Sequence, residues 1–275
     1  MIVWKYKAWR AAGAAAALGL AAACGGEGGE SGGEAGEAGE AGEAGEAVVS
    51  APPVMAAPAP EGGGEAGEAG AASAYAGLSG DQLTALRLQH LRGFVMAAGV
   101  VNAGNMPGEA SVLVQQGLLE VYDPTPDQFG SLNIAVIRAA AEGGSLNRAQ
   151  MMQRLRACED EIKRAGDELD VNSAVTVARM VDIATGLYQG VVQEDFVDPI
   201  EYQHSMGAAR AAQAALIEHQ TELRRENLRA FSEAQGALNR FVALWPQAAA
   251  PEQPTPYRDV LAQGSRVRLA LSPYL

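Results

Sequence analysis

The residues best suited to ligand or acid–base chemistry are three histidines and the carboxylates near them. Glu201-Tyr202-Gln203-His204 places a carboxylate and an imidazole three residues apart, so on a helix both project from one face. Glu-x-x-His is half of the pattern that holds two irons in helical bundles, which need a second copy and two further inward glutamates. The chain has no second copy. What the spacing leaves is a site for one transition-metal ion, held by Glu201 and His204 with a third donor from a neighbouring helix, His90 or Asp182. The plainer alternative makes Glu201 a first-turn carboxylate complementing the helix dipole and His204 an ordinary exposed or core-edge histidine. His219 and Glu222 are spaced similarly, but Arg224, Arg225 and Glu226 beside them mark a solvated face.

Signatures of catalysis are missing. There is no Gly-x-Ser-x-Gly elbow, Walker loop, dinucleotide glycine pattern, His-Glu-x-x-His or Cys-x-x-Cys, and a non-catalytic role is expected. Cys158 falls inside an apolar helical seam, where a thiol is buried and inert. The formal net charge of −13 argues against nucleic acid as a partner, because phosphate binding needs clustered Lys and Arg.

The elements that must position these residues are helical. Alternating β-branched runs and Asn-Gly turns are absent from the sequence, whereas apolar residues recur three and four apart. A first helix is expected from Ser79-Gly80-Asp81, with Leu83, Leu86, His90, Phe94 and Ala97 on one face. A second covers about Glu109–Tyr122, and a third runs from Asp127 to Glu142. The fourth, capped by Ser145, carries the seam Met151, Leu155, Cys158, Ile162, Ala165 and Leu169. A fifth spans about Val171–Gln193. Pro199, capped by Asp198, opens a stretch without a breaker to Trp245. At 1.5 Å per residue that stretch would be roughly 69 Å long, so a bend is predicted around His219–Asn227. The last helix is expected over Tyr257–Leu271. The expected fold is all-α, a bundle of about seven or eight helices over residues 78–275.

Ahead of this body lie two segments of different composition. Residues 1–23 read as a signal peptide: Lys5, Lys7 and Arg10, then an apolar run from Ala11 to Ala23. Thirteen residues of helix cover about 20 Å, short of a ~30 Å hydrocarbon core. The run ends Leu20-Ala21-Ala22-Ala23-Cys24-Gly25, which resembles the bacterial lipobox and implies lipid attachment at Cys24. Several acyl chains on one residue anchor stably where one does not. Gly25 in place of Asp implies sorting to the outer membrane in the Gram-negative pattern. Residues 24–77 hold Gly-Glu-Ala triplets and a proline-rich stretch, with ten glutamates and no basic residue. Such a segment is expected to be a disordered linker, spanning roughly 40 Å as a flexible chain.

Three patches of the body resemble a group of bacterial helical lipoproteins that also carry Gly-Glu linkers. They are distantly similar to imelysin-like proteins and to the periplasmic helical region of iron permeases. The patches are Arg92-Gly93-Phe94; Leu187-Tyr188 through Glu201-Tyr202-Gln203 to Gly207; and Gly264-Ser265-Arg266-Val267-Arg268-Leu269-Ala270-Leu271. Phe94 stands where the pattern has histidine, and His204 where it has an acidic residue. The resemblance implies an envelope protein of helical fold with a link to iron or other metals. The expected function is a lipid-anchored binding protein. The alternative is a non-catalytic structural or assembly subunit docking another envelope protein through its helical surface.

Overall fold

The computed structural model describes residues 71–193 and 196–275. The segments read as a signal peptide, Cys24 and the linker up to residue 70 lie outside them. Among the described residues are eight α-helices: α1 Gly80–Ala103, α2 Pro107–Gly117, α3 Ile134–Ala141, α4 Arg148–Asp167, α5 Ser173–Tyr188, α6 Pro199–Glu218, α7 Gln220–Val242 and α8 Tyr257–Leu271. The fold is an all-α bundle. Two-residue strands, β1 Val192–Gln193 and β2 Phe196–Val197, pair antiparallel between α5 and α6. None of the helices is long and apolar enough to cross a membrane among the described residues.

Caps explain where the helices begin. Asp198 accepts from the amides of Ile200 and Glu201 at 2.8 and 3.2 Å and Pro199 takes the first helical position, as the sequence predicts. The start of α4 differs from expectation. Asn147, two residues beyond Ser145, is the cap, and it exchanges bonds of 3.0 and 3.1 Å with Gln150 in a capping box. The third helix is also shorter than expected. Pro126–Gln128 forms one 3-10 turn, Gly130 adopts a positive φ of 56°, and α3 starts only at Ile134 under an Asn133 cap. The fifth helix ends at Tyr188, because the chain turns there into β1.

The long unbroken stretch breaks twice in the predicted window. His219 ends α6 and precedes α7, and Asn227 inside α7 is non-helical (φ −152°, ψ 91°). The Asn227 side chain caps the continuing helix by accepting from the amide of Ala230 at 3.0 Å. Tyr274 donates to the carbonyls of Leu223 and Asn227, so the C-terminus fastens the kink.

The seam on α4 is buried at Met151, Leu155, Cys158, Ile162 and Ala165, but the helix ends at Asp167, so Leu169 lies beyond it and is partly buried. The body also begins earlier than Leu78. Ala71 and Ala74 are buried and belong to the core, and Ser73–Tyr75 forms a 3-10 turn against α5. In the middle of the bundle α6 packs on both α1 and α5, while α8 covers α5 and α7. Small residues make this close. Gly93, Ala97 and Ala98 on α1 are buried, as are Gly207, Ala208 and Ala211 on α6. Phe241 and Trp245 close the far end, with the indole donating to Ser205 Oγ at 2.8 Å.

Candidate functional site

His90 and Phe94 share a face of α1, one turn apart, and His204 comes from the second turn of α6. The crossing of the two helices stacks these rings in a row. The Phe94 centroid lies 5.6 Å from that of His90 and 4.6 Å from that of His204. Gly117 at the end of α2 makes room for the row, since a Cβ there would fall 2.8 Å from Phe94. Tyr75, just ahead of α1, extends it. Its hydroxyl lies 2.6 Å from His90 Nδ1, and the Arg87 guanidinium stacks 4.5 Å from its ring centroid.

Burial sets the chemistry of this row. His90 and His204 are both buried, and desolvation of the cation pushes each imidazole down to about 3. For His90 the neighbouring His204 and Arg87 act in the same direction. Burial pushes the Tyr75 phenol upward, with Arg87 opposing. A protonated phenol facing a neutral ring donates to Nδ1, which leaves the His90 proton on Nε2. That atom has no hydrogen-bond partner. His204 Nε2 lies 3.2 Å from the side-chain oxygen of Gln116, while its Nδ1 is 3.6 Å from Glu120 Oε2. The latter is an ion pair only for a protonated ring, and burial keeps this ring neutral. Glu120 is carried by a π turn, Leu118–Tyr122, that extends α2.

The predicted site residues are thus distributed as follows. His90 and His204 are brought to one row, with Phe94 packed against both. Glu201 is buried in the first turn of α6. Asp182 of α5 is turned to α8, where both its oxygens accept from Arg268 Nη1 at 2.8 Å. Among the described residues no three His, Cys, Asp or Glu side chains are placed to hold a metal ion together. Cys158 is fully buried with its thiol 3.6 Å from the Val136 carbonyl, and burial pushes it up to about 12, which favours the protonated thiol.

Sequence reasoning missed two features. Arg92 is buried on α1 and forms a two-pronged bond with Glu218 at the end of α6, at 2.7 and 2.8 Å, with Glu159 of α4 at 3.9 Å. These residues are 126 positions apart, and the one local signal was an arginine set in the apolar run Leu91–Val95. The second is a surface groove of about 420 Å³ between α5 and α8. A cavity of about 40 Å³ between α1, α4 and α6 has room only for water.

No family model matches the chain, and neither the curated proteins nor the solved structures yield a match.

Proposed function

We propose that the chain is a lipid-anchored envelope protein whose helical body binds a partner at its surface and carries out no catalysis. Cys24 is the residue that would carry the anchor, and the Gly-Glu linker would let the body reach a partner away from the membrane.

The observation that supports surface binding is the α5–α8 groove. It is open to solvent and lined by the half-exposed Tyr257 and Leu261 beside Arg179, Asp182 and Arg268. An aromatic and a leucine left exposed between charged groups are the usual ingredients of a recognition surface. The buried His90 and His204 sit neutral against the Phe94 ring, and among the described residues no three metal-ligating side chains converge.

Two experiments test the reading. A photocrosslinking amino acid at position 261, in intact cells, should give a defined adduct that the same probe at the exposed Leu228 of α7 does not. Equal or absent adducts at both positions would contradict it. Labelled palmitate should enter the protein and be lost in Cys24→Ser; labelling that survives this change would remove the anchor.

A further inference from the structure

The two ends of the α5–α8 groove differ in chemistry, and the difference specifies an occupant. Arg268 pairs with Asp182, and the guanidinium of Arg179 reaches the Ala76 carbonyl at 3.4 Å. Tyr188 on α5 donates to the Thr255 carbonyl at 2.8 Å, just ahead of α8. The helices therefore run antiparallel, with Arg179 and Arg268 at one end and Gln189 and Tyr257 at the other. From Arg179 to Gln189 is ten residues, about 15 Å of helix, which spans roughly five residues of extended chain. The floor is formed where the helices touch: a Cβ on Gly264 would lie 2.9 Å from Thr185 Oγ1. The groove is lined by two arginines, Arg179 and Arg268, and one acid, Asp182, which Arg268 pairs. Its charged lining therefore carries one positive charge in excess, in a chain of net charge −13.

We propose that the groove takes an extended acidic peptide with small residues between its carboxylates. A carboxylate would meet Arg179 and Arg268 in charge-assisted bonds. Alanine and glycine would pass over the shallow floor, and the backbone would lie along Gln189 and the Tyr257 ring. The chain's own Gly-Glu-Ala triplets are a sequence of this kind, which makes another copy's linker one natural source. The proposal rests on the surface-binding reading and adds the chemistry of the partner.

The test uses the full chain in detergent with its ten linker glutamates changed to glutamine, so that no acidic segment on the same molecule competes. The probe is a labelled synthetic peptide of residues 34–46, followed by fluorescence anisotropy. Binding is expected, weakened by added salt, and weakened about tenfold by Arg179→Gln. Leu261→Ser, at the other side of the groove, is expected to weaken it less. A peptide with glutamine in place of glutamate should not bind. Equal binding of the two peptides, or no binding of the acidic one at millimolar concentration, overturns the proposal. Loss of peptide binding with a persistent crosslink from position 261 would overturn the acidic-peptide assignment alone and leave surface binding intact. Groove-dependent binding of anionic vesicles without peptide binding would also overturn it.

Discussion

Gly93 of α1 and Gly207 of α6 meet backbone to backbone: a Cβ on Gly207 would land on the Gly93 carbonyl oxygen. This contact sets the depth at which the two helices cross, and so the stacking of His90, Phe94 and His204. Gly207→Ala must push the helices apart, and a loss of about 3 kcal/mol is expected from overpacking. Gly99→Ala, on the same helix with nothing within 4 Å of the added Cβ, should instead stabilise by roughly 0.5–1 kcal/mol. Urea unfolding of both variants checks the pair; similar shifts for the two would show that the crossing is not tight.

The Arg92–Glu218 pair joins α1 to the end of α6, with Arg92 buried and Glu218 reaching the surface. Glu218→Ala leaves Arg92 with the longer contact to Glu159, so a loss of about 2 kcal/mol is expected. The double variant Arg92→Met with Glu218→Leu should recover most of that loss, because apolar groups of similar volume need no partner. Unfolding free energies for the wild type, Arg92→Met, Glu218→Leu and the double variant, analysed as a cycle, measure the coupling. Additive losses would mean that the two side chains do not act as a pair.

Acid should destabilise the body through its buried histidines. Both are held near 3 in the folded protein, while in the unfolded chain they titrate near 6.5. Between those values the unfolded state binds more protons, so stability falls as pH drops below about 6.5. Each ring contributes a loss of roughly 2 kcal/mol by pH 5, and the slope should be halved in His204→Asn. Denaturant unfolding at pH 7, 6 and 5 reads this directly. A His204→Asn protein with the wild-type slope would show that His204 is not kept neutral.

Metal titration of the full-length protein addresses the other role for the same residues. Calorimetry with zinc is expected to show no saturable binding that depends on His204, since the donors do not converge. One-to-one binding abolished by both His204→Ala and Glu201→Ala would restore the metal site.

Much of the bundle was legible because its signals are local. The α4 seam, the Asp198-Pro199 start of α6 and the limits of α8 follow from periodicity and capping chemistry within a few residues. The break near His219–Asn227 followed from length alone. The misplaced elements depended on choices between nearby polar residues: Ser145 against Asn147 as a cap, or Gly130 interrupting a stretch whose composition favours helix. The candidate site was half readable. Facial spacing put His90 and His204 on helix faces that the fold brings into one row, yet could not show that Phe94 packs against both. It also gave no hint of Arg92–Glu218 or of the α5–α8 groove, which exist only through contacts between distant segments. The same limit applies to Asp182, a candidate metal ligand by type, which tertiary packing commits to Arg268.

The central claim is that this protein works through the α5–α8 surface and not through its buried histidines. The most direct measurement compares Leu261→Glu with His204→Asn in cells treated with a short-range crosslinker, following the adduct of the anchored protein. The account predicts that Leu261→Glu loses the adduct while His204→Asn keeps it. An adduct that survives Leu261→Glu and disappears in a folded His204→Asn protein would contradict it.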